Sequence, residues 1–326
     1  MKGVLCRRFG PPEDLELADI AEPVAGPTQV VIDVASASLN FPDLLTIRGQ
    51  YQFKTDPPFV PGAEGAGTVS AVGANVTHVS VGQRVMGVGV VGAFAEKWLM
   101  EASACIPIDD SLSFDVAASL TLAYGTSYHA LKQRAMIQPD ETLLVLGAAG
   151  GVGSAAVEIG KAMGATVIAA AGSDDKLSFC RELGADETVN YADEDLKTRV
   201  KELTDGNGAD VIYDPVGGDL SEQAFRAIAW RGRHLVVGFA AGDIPSVAWN
   251  LPLLKGAAIV GVFWGAFTTA EPETFEQNMR EVVDMVGSGS LSPRVTATYP
   301  LSDFASAFEE LTSRRARGKI VLHISG

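Results

Sequence analysis

The seven residues 147–153, Gly-Ala-Ala-Gly-Gly-Val-Gly, narrow the possible folds of this chain more than any other stretch. They follow a buried-strand run at 143–146 and open a helical pattern that stops at Gly164. A tight glycine turn between strand and helix lets the backbone approach a bound group, and it presents free amides and the positive end of a helix dipole. Pyrophosphate is the ligand that suits such a turn, so Ala149, Gly150, Gly151, Val152 and Gly153 are expected to hold a dinucleotide. The competing reading is a turn whose glycines serve only close packing of helix on strand.

The surrounding pattern supports the first reading. After residue 141 strands and helices alternate: a strand at 166–172, a helix at 173–185 with Ser173 as N-cap and Gly184 just past its end, a strand at 187–191, a helix at 195–204, and strands near 210, 235 and 257–263. Repeated strand–helix–strand units with apolar strands imply a doubly wound parallel sheet covered by helices on both faces. Residues before about 115 read differently, as short β-branched runs punctuated by Gly, Pro and Asp, which predicts a mostly β domain. At 326 residues the chain exceeds what one core usually serves. The expectation is a β domain over 1–120, a dinucleotide-binding domain inserted over 121–263, and a tail over 264–326 that returns to the first domain, with a cleft between the two domains. In that tail two helices, at 272–291 and 303–315, precede a terminal strand at 318–324.

The cofactor's ribose leaves a second signature. A protein preferring NAD would place Asp or Glu at the tip of the second strand, about 20 residues after the glycine turn, to bond the 2′-hydroxyl. Here the tip is Gly172 and Ser173, Lys176 lies one turn into the following helix, and Tyr191 ends the next strand. A small tip beside a lysine suits a 2′-phosphate, so NADPH is the expected cofactor. Asp174 and Asp175 oppose this with negative charge, although acids in a first helical turn are stabilising whatever is bound.

Composition removes other classes. Forty acidic residues against 25 basic ones give a formal charge of −15, which disfavours nucleic acid and anionic membranes as partners. Cys6, Cys105 and Cys180 are too few and too scattered for a disulfide framework or a CxxC pair, so a reducing, cytoplasmic setting is expected. No apolar run reaches the roughly 18 residues of a membrane span without interruption, and no signal peptide is evident.

Ten motifs in order carry a resemblance over the whole chain: Asn40-Phe-Pro-Asp43, Arg-Gly-Gln-Tyr51, Pro-Gly-Ala-Glu-Gly-Ala-Gly67, the glycine turn, Ala-Ala-Ala-Gly-Ser-Asp-Asp-Lys176, Val-Asn-Tyr191, Asp-Pro-Val-Gly-Gly218, Val-Val-Gly-Phe239, Phe-Trp-Gly265 and Gly-Lys-Ile-Val-Leu322. The chain resembles the medium-chain dehydrogenase/reductase superfamily and, within it, the zinc-independent quinone oxidoreductases. That resemblance implies a GroES-like catalytic domain with an inserted Rossmann domain, and a homodimer paired through the strand edge near 257–263. The zinc alcohol dehydrogenases of the superfamily use a Cys where this chain has Asn40 and a His where it has Ala63, and they carry a lobe of four cysteines that is absent here. Zinc needs about three or four N, O or S ligands, and His78, His129, His234 and His323 stand isolated, so no metal is expected. The resemblance further implies that Asn40 lies near the nicotinamide ribose and acceptor carbonyl, Asp43 structures its loop, Tyr51 stands at the pocket mouth, and Thr126, Phe239, Phe263 and Lys319 contact the cofactor. Each also has a plainer reading: turn residue for Asn40, strand end for Tyr51, core for the phenylalanines, packed helix residue for Thr126 and solvated cation for Lys319.

Without a Lewis acid an alkoxide lacks its usual stabiliser, whereas a quinone accepts hydride and needs only a hydrogen-bond donor for its oxygen. An NADPH-dependent quinone reductase is therefore the leading expectation. The alternatives are an ene-reductase acting on enones or enoyl thioesters, with Tyr51 as proton donor, and a cofactor-binding protein without turnover.

Overall fold

The computed structural model describes residues 1–313 and 315–324, and the chain divides into two units: Met1–Leu122 with Pro293–Gly326, and Ala123–Ser292. Arg314, which falls within the second helix expected in the tail, lies outside the described residues.

The first unit is built on the strand Gln29–Leu39, whose β-branched and small residues are buried along almost its whole length. Three strands hydrogen-bond to it antiparallel: Glu64–Val72, Lys97–Glu101 and Lys319–His323. Arg84–Val88 and Cys105–Pro107 extend the sheet on one side, and Val295–Pro300 pairs parallel with Lys319–His323 on the other. Val30, Ile32 and Val34 turn into a core with Phe94, Trp98 and Phe308. A seven-residue helix, Phe41–Ile47, follows the long strand at once. Asn40, for which turn residue was the plainer expectation, is the residue that starts this helix. Its start signals were nonetheless written in residues 40–43: Asn40 is the N-cap, Pro42 stands in the first turn, and the Asp43 carboxylate accepts the Asn40 backbone N–H at 2.8 Å.

The second unit carries six parallel strands in the spatial order Glu187–Asn190, Thr166–Ala171, Thr142–Leu146, Ala209–Asp214, Ile228–Val236 and Ala258–Gly261. Counted along the chain this is 3-2-1-4-5-6, the doubly wound Rossmann arrangement, with the order reversing between Thr142–Leu146 and Ala209–Asp214. Leu143, Leu144, Val145 and Leu146 are fully buried, as a strand covered on both faces requires. The helices Gly151–Ala162 and Asp174–Glu182 end before Gly164 and Gly184, which take left-handed φ values of +85° and +99°. Among the described residues no helix is long and apolar enough to cross a membrane.

The tail departs from expectation. The chain rejoins the first unit at Pro293, and the helices Trp264–Ala270 and Pro272–Gly287 belong to the second unit instead of opening the return at residue 264. Their contacts explain why. Phe267 stacks on His129 with ring centroids 3.8 Å apart, Asn278 and Gln133 exchange side-chain hydrogen bonds, and Tyr128 and Lys132 both donate to Glu281. Gly125 has no room for a Cβ, which would meet Trp264 at 2.8 Å and Met279 at 3.1 Å. The amphipathic pattern at 272–287 specified a helix with one buried face, and nothing local specified which unit would cover it.

Two outcomes follow. The Lys132, Tyr128 and Gln277 donors hold the Glu281 carboxyl down at about 2, against burial that acts in the opposite direction. Its contribution is therefore complete above the ordinary carboxylate range and is lost as pH falls from about 4.5 towards 2. Glu281→Gln is expected to lose about 1 kcal/mol at pH 7 in urea unfolding, discounted for the site's partial exposure, and to converge with the wild type near pH 2. Gly153→Ala places a Cβ 2.3 Å from the Gly147 carbonyl oxygen, a backbone atom, and is expected to destabilise by about 1–3 kcal/mol in the same measurement.

Candidate functional site

In the second unit the glycine turn forms as the sequence implies. Gly147 takes a left-handed φ of +58°, and Gly153 packs so closely under it that no side chain fits. Gly150 is the N-cap of the helix Gly151–Ala162 and no side chain caps it. The amides of Gly151, Val152 and Gly153 occupy the first turn, where no intrahelical acceptor exists. Ala149 is buried beneath the turn, whereas a Cβ on Gly150 would meet only the Gly147 oxygen, at 3.4 Å. Three convergent donors with little side chain over them fit a pyrophosphate.

The strand tip beside it is shaped by Tyr191. Its ring lies 3.1 Å from where a Gly172 Cβ would stand, so a side chain at that position would require the ring to give by a few tenths of an ångström. Ser173 caps the following helix by accepting the Lys176 amide, and Lys176 is half-buried at this tip. The Asp174 carboxylate accepts a bond from Asn190 Nδ2 at 3.1 Å. Part of the acidic charge that opposed a phosphate is thereby engaged. Phe239, three residues beyond the strand Ile228–Val236, packs over Gly217, whose Cβ would meet its ring at 2.9 Å. Phe263 is 51% exposed just past the last strand, so it is not core, and Thr126 is buried in the helix Gly125–His129.

The first unit gathers the other candidates. Ile320 pairs with Leu39 in an antiparallel ladder, so Lys319 and Asn40 are the next opposed pair. Lys319 Nζ donates to Asn40 Oδ1 at 2.5 Å and to Glu64 Oε2 at 3.2 Å. Asn40 Nδ2 donates to Glu64 Oε2 at 2.8 Å and to the Ser38 carbonyl at 3.2 Å. Glu64 Oε1 in turn accepts the Leu122 amide at 2.8 Å and the Thr121 hydroxyl at 3.1 Å, where the helix widens into π turns over Leu120–Tyr124. Asp43 completes the cluster, accepting the amides of Asn40 and Ala63 at 2.8 and 3.0 Å. Burial pushes its carboxyl up to about 7, against the pull of the Asn40 amide and the Lys319 ammonium.

Asn40, Asp43 and Lys319 thus form one network, and the solvated reading of Lys319 is excluded by its burial. Glu64 and Thr121 belong to the same network, and no residue pattern signals either role, because each enters through a tertiary hydrogen bond. Tyr51 sits outside any strand, edge-on to Phe53 with ring centroids 5.9 Å apart. Burial, and then the charge of Asp43, keep its hydroxyl above the ordinary tyrosine range, and the hydroxyl has no hydrogen-bond partner among the described residues. The thiols of Cys105 and Cys180 are buried and pushed up to about 12, so neither is poised as a nucleophile. Among the described residues no three His, Cys, Asp or Glu side chains gather as a metal site.

Residues 26–110 match the family model of the alcohol dehydrogenase GroES-like domain, and residues 151–284 match that of the zinc-binding dehydrogenases. The chain is 40% identical to a quinone oxidoreductase-like protein 2 homolog of Nematostella vectensis, over 99% of this chain and 88% of that one. Escherichia coli quinone oxidoreductase, solved in complex with NADPH, superposes with a TM-score of 0.92 at 28% identity, covering 99% of this chain and 100% of the other. A 2-haloacrylate reductase superposes at 0.88 with 27% identity over the full length of both chains. With both family models matched in order and a relative at 40% identity along nearly its whole length, the chain belongs to the medium-chain dehydrogenase/reductase superfamily, among its quinone oxidoreductase-like enzymes.

Proposed function

We propose that this protein is an NADPH-dependent oxidoreductase that passes hydride to a quinone without a metal. The observation that carries the reading is a bare glycine turn at a helix start, beside a strand tip that carries no carboxylate and is followed by Lys176. The amides of Gly151, Val152 and Gly153 would hold the pyrophosphate, and Lys176, Ser173 and Tyr191 the 2′-phosphate. Thr126, Phe239 and Phe263 are assigned to the rest of the cofactor. NADPH supplies the hydride when bound. The remaining work falls to the chain's own residues.

Zinc does not suit this site. Asn40 and Ala63 stand where zinc relatives carry ligands, and the Asn40 oxygen already faces a buried ammonium that would repel a second cation. A quinone needs no metal, because its oxygen takes up charge readily and needs only donors. Tyr51 offers one such donor, its hydroxyl kept protonated by burial and by Asp43.

That same hydroxyl favours a second reading, reduction of an α,β-unsaturated carbonyl with Tyr51 delivering the proton to carbon. The solved 2-haloacrylate reductase lends it weight. Three buried free thiols suit a reducing setting, and we assign the protein to the cytoplasm. We also assign it a homodimer. Among the described residues Ala258–Gly261 is the last strand of its sheet, and Ile259 and Phe263, in it and just past it, are exposed.

Three measurements test these assignments. NADPH oxidation is expected with ortho- or para-quinones in a panel that also holds enones and an enoyl-CoA; turnover confined to the enones or the thioester would put the second reading first. Lys176→Ala is expected to weaken NADPH about tenfold while leaving NADH within twofold, and equal losses would remove Lys176 from the 2′-phosphate. Sedimentation at micromolar concentration is expected to give a dimer, and a monomer would refute the edge pairing.

A further inference from the structure

Asp214 ends the strand Ala209–Asp214, which lies beside the strand leading into the glycine turn, and the order of the sheet reverses between the two. Its carboxylate is buried and accepts four bonds. Oδ1 takes the amides of Val216 and Gly217, each at 2.9 Å, and Oδ2 takes the Ser221 hydroxyl and, at 3.0 Å, His234 Nε2. A carboxylate has about four acceptor sites, so all are filled. Burial pushes this carboxyl up, and the bonds from His234, Ser221 and the Gly217 amide more than offset it, holding it below the ordinary range. His234 is itself buried, and its Nδ1 has no partner among the described residues. A buried polar atom left unpaired costs about 1–3 kcal/mol, so stability alone does not account for a histidine here. The network fixes two loops. Residues 215–218 hang on the two amide bonds, and residues 237–243 are laced to them: Val237 and Gly238 donate to the Asp214 carbonyl, Ala240 to that of Pro215, Ala241 to that of Val216, and Gly218 to that of Asp243. Val216 also reaches the glycine turn, its Cγ2 lying 2.9 Å from where a Gly147 Cβ would stand.

We propose that Asp214, secured by Ser221 and His234, is a positioning residue for the cofactor: it sets residues 215–218 as the wall against which the nicotinamide half of NADPH rests. The inference rests on the NADPH reading above and deepens it. In a doubly wound sheet the ligand lies outside the carboxyl ends of the strands, at the point where their order reverses. Here that point falls between Thr142–Leu146 and Ala209–Asp214, and the loops that follow these strands meet at Gly147 and Val216. With the pyrophosphate on the amides of Gly151, Val152 and Gly153 and the 2′-phosphate at the Gly172 tip, the adenosine half lies to one side of the glycine turn. The second nucleotide then extends the other way, over residues 215–218. Gly217 and Gly218 take left-handed φ values of +73° and +61°, a shape that a free glycine pair holds only part of the time. Without the Asp214 carboxylate the amides of Val216 and Gly217 lose their acceptor, and this wall is released from Gly147. The Gly172 tip is spared, because it follows a strand on the far side of Thr142–Leu146.

The test compares NADPH with adenosine 2′,5′-bisphosphate, its adenine half alone, by calorimetry on the full-length protein. Asp214→Ala is expected to weaken NADPH about tenfold and to leave the bisphosphate within about twofold of the wild type. Asp214→Asn keeps an oxygen for the two loop amides, and its NH₂ finds acceptors once Ser221 turns its hydroxyl and His234 carries its proton on Nδ1. That variant is expected to bind NADPH within about threefold of the wild type. Circular dichroism checks folding, and a measurement on the wild type decides the matter if Asp214→Ala does not fold. There NADPH is expected to slow amide hydrogen exchange over residues 215–220 about fivefold or more, and the bisphosphate to leave it unchanged. Equal loss of both ligands in Asp214→Ala, an unaltered NADPH constant, no recovery in Asp214→Asn, or exchange at 215–220 that NADPH does not slow or that both ligands slow alike would each overturn the assignment. A wild type that binds neither ligand would refute the NADPH reading itself, whereas one that binds both, with neither weakened in Asp214→Ala, refutes only the role of Asp214.

Discussion

A buried ion pair between Lys319 and Glu64 governs the first unit. Lys319 opens the strand Lys319–His323, Asn40 immediately follows Gln29–Leu39, and Glu64 opens Glu64–Val72, so the ends of three adjacent strands meet at one charge. Removing either partner would leave an unpaired ion in a space without water, a loss of about 3–5 kcal/mol, so each strand end is held by the requirements of the other two. The helix Phe41–Ile47 inherits its position from this point, because its N-cap is the residue that Lys319 grips. Asp43 then ties the same N-cap to Ala63, one residue before Glu64.

The second unit depends on a steric constraint. Its first strand and helix approach until Gly153 lies under the Gly147 carbonyl, and that closeness leaves the first-turn amides bare. A Cβ at Gly153 would force the helix and strand apart. The tip at Gly172 is crowded by the Tyr191 ring, more mildly than Gly153 is crowded by the Gly147 carbonyl.

Local rules made much of this legible. Strand runs of β-branched residues, helices bounded by Ser173, Gly164 and Gly184, and the order of alternation all appear where the sequence puts them, because each depends on neighbours within a few residues. The helix at residue 41 was also legible, since Asn40, Pro42 and Asp43 form a start signal that a turn reading of Asn-Phe-Pro obscured. The tail was not legible. An amphipathic stripe at 272–287 requires a cover without naming it, and only the packing of Trp264, Phe267 and Met279 on Gly125 and His129 assigns these helices to the second unit.

The candidate site divides along the same line. By itself the sequence determined the glycine turn and the small strand tip with its lysine, since residue type and local spacing decide both; that Asn40 and Ala63 stand where zinc relatives carry ligands came from the family resemblance. Only the tertiary structure decided that Asn40 has no free proton, that Glu64 and Thr121 belong to the network, and that Lys319 is a buried cation. Apart from the local bond from Asn40 to Ser38, those properties depend on hydrogen bonds between residues 24 to 279 positions apart, which no local pattern records.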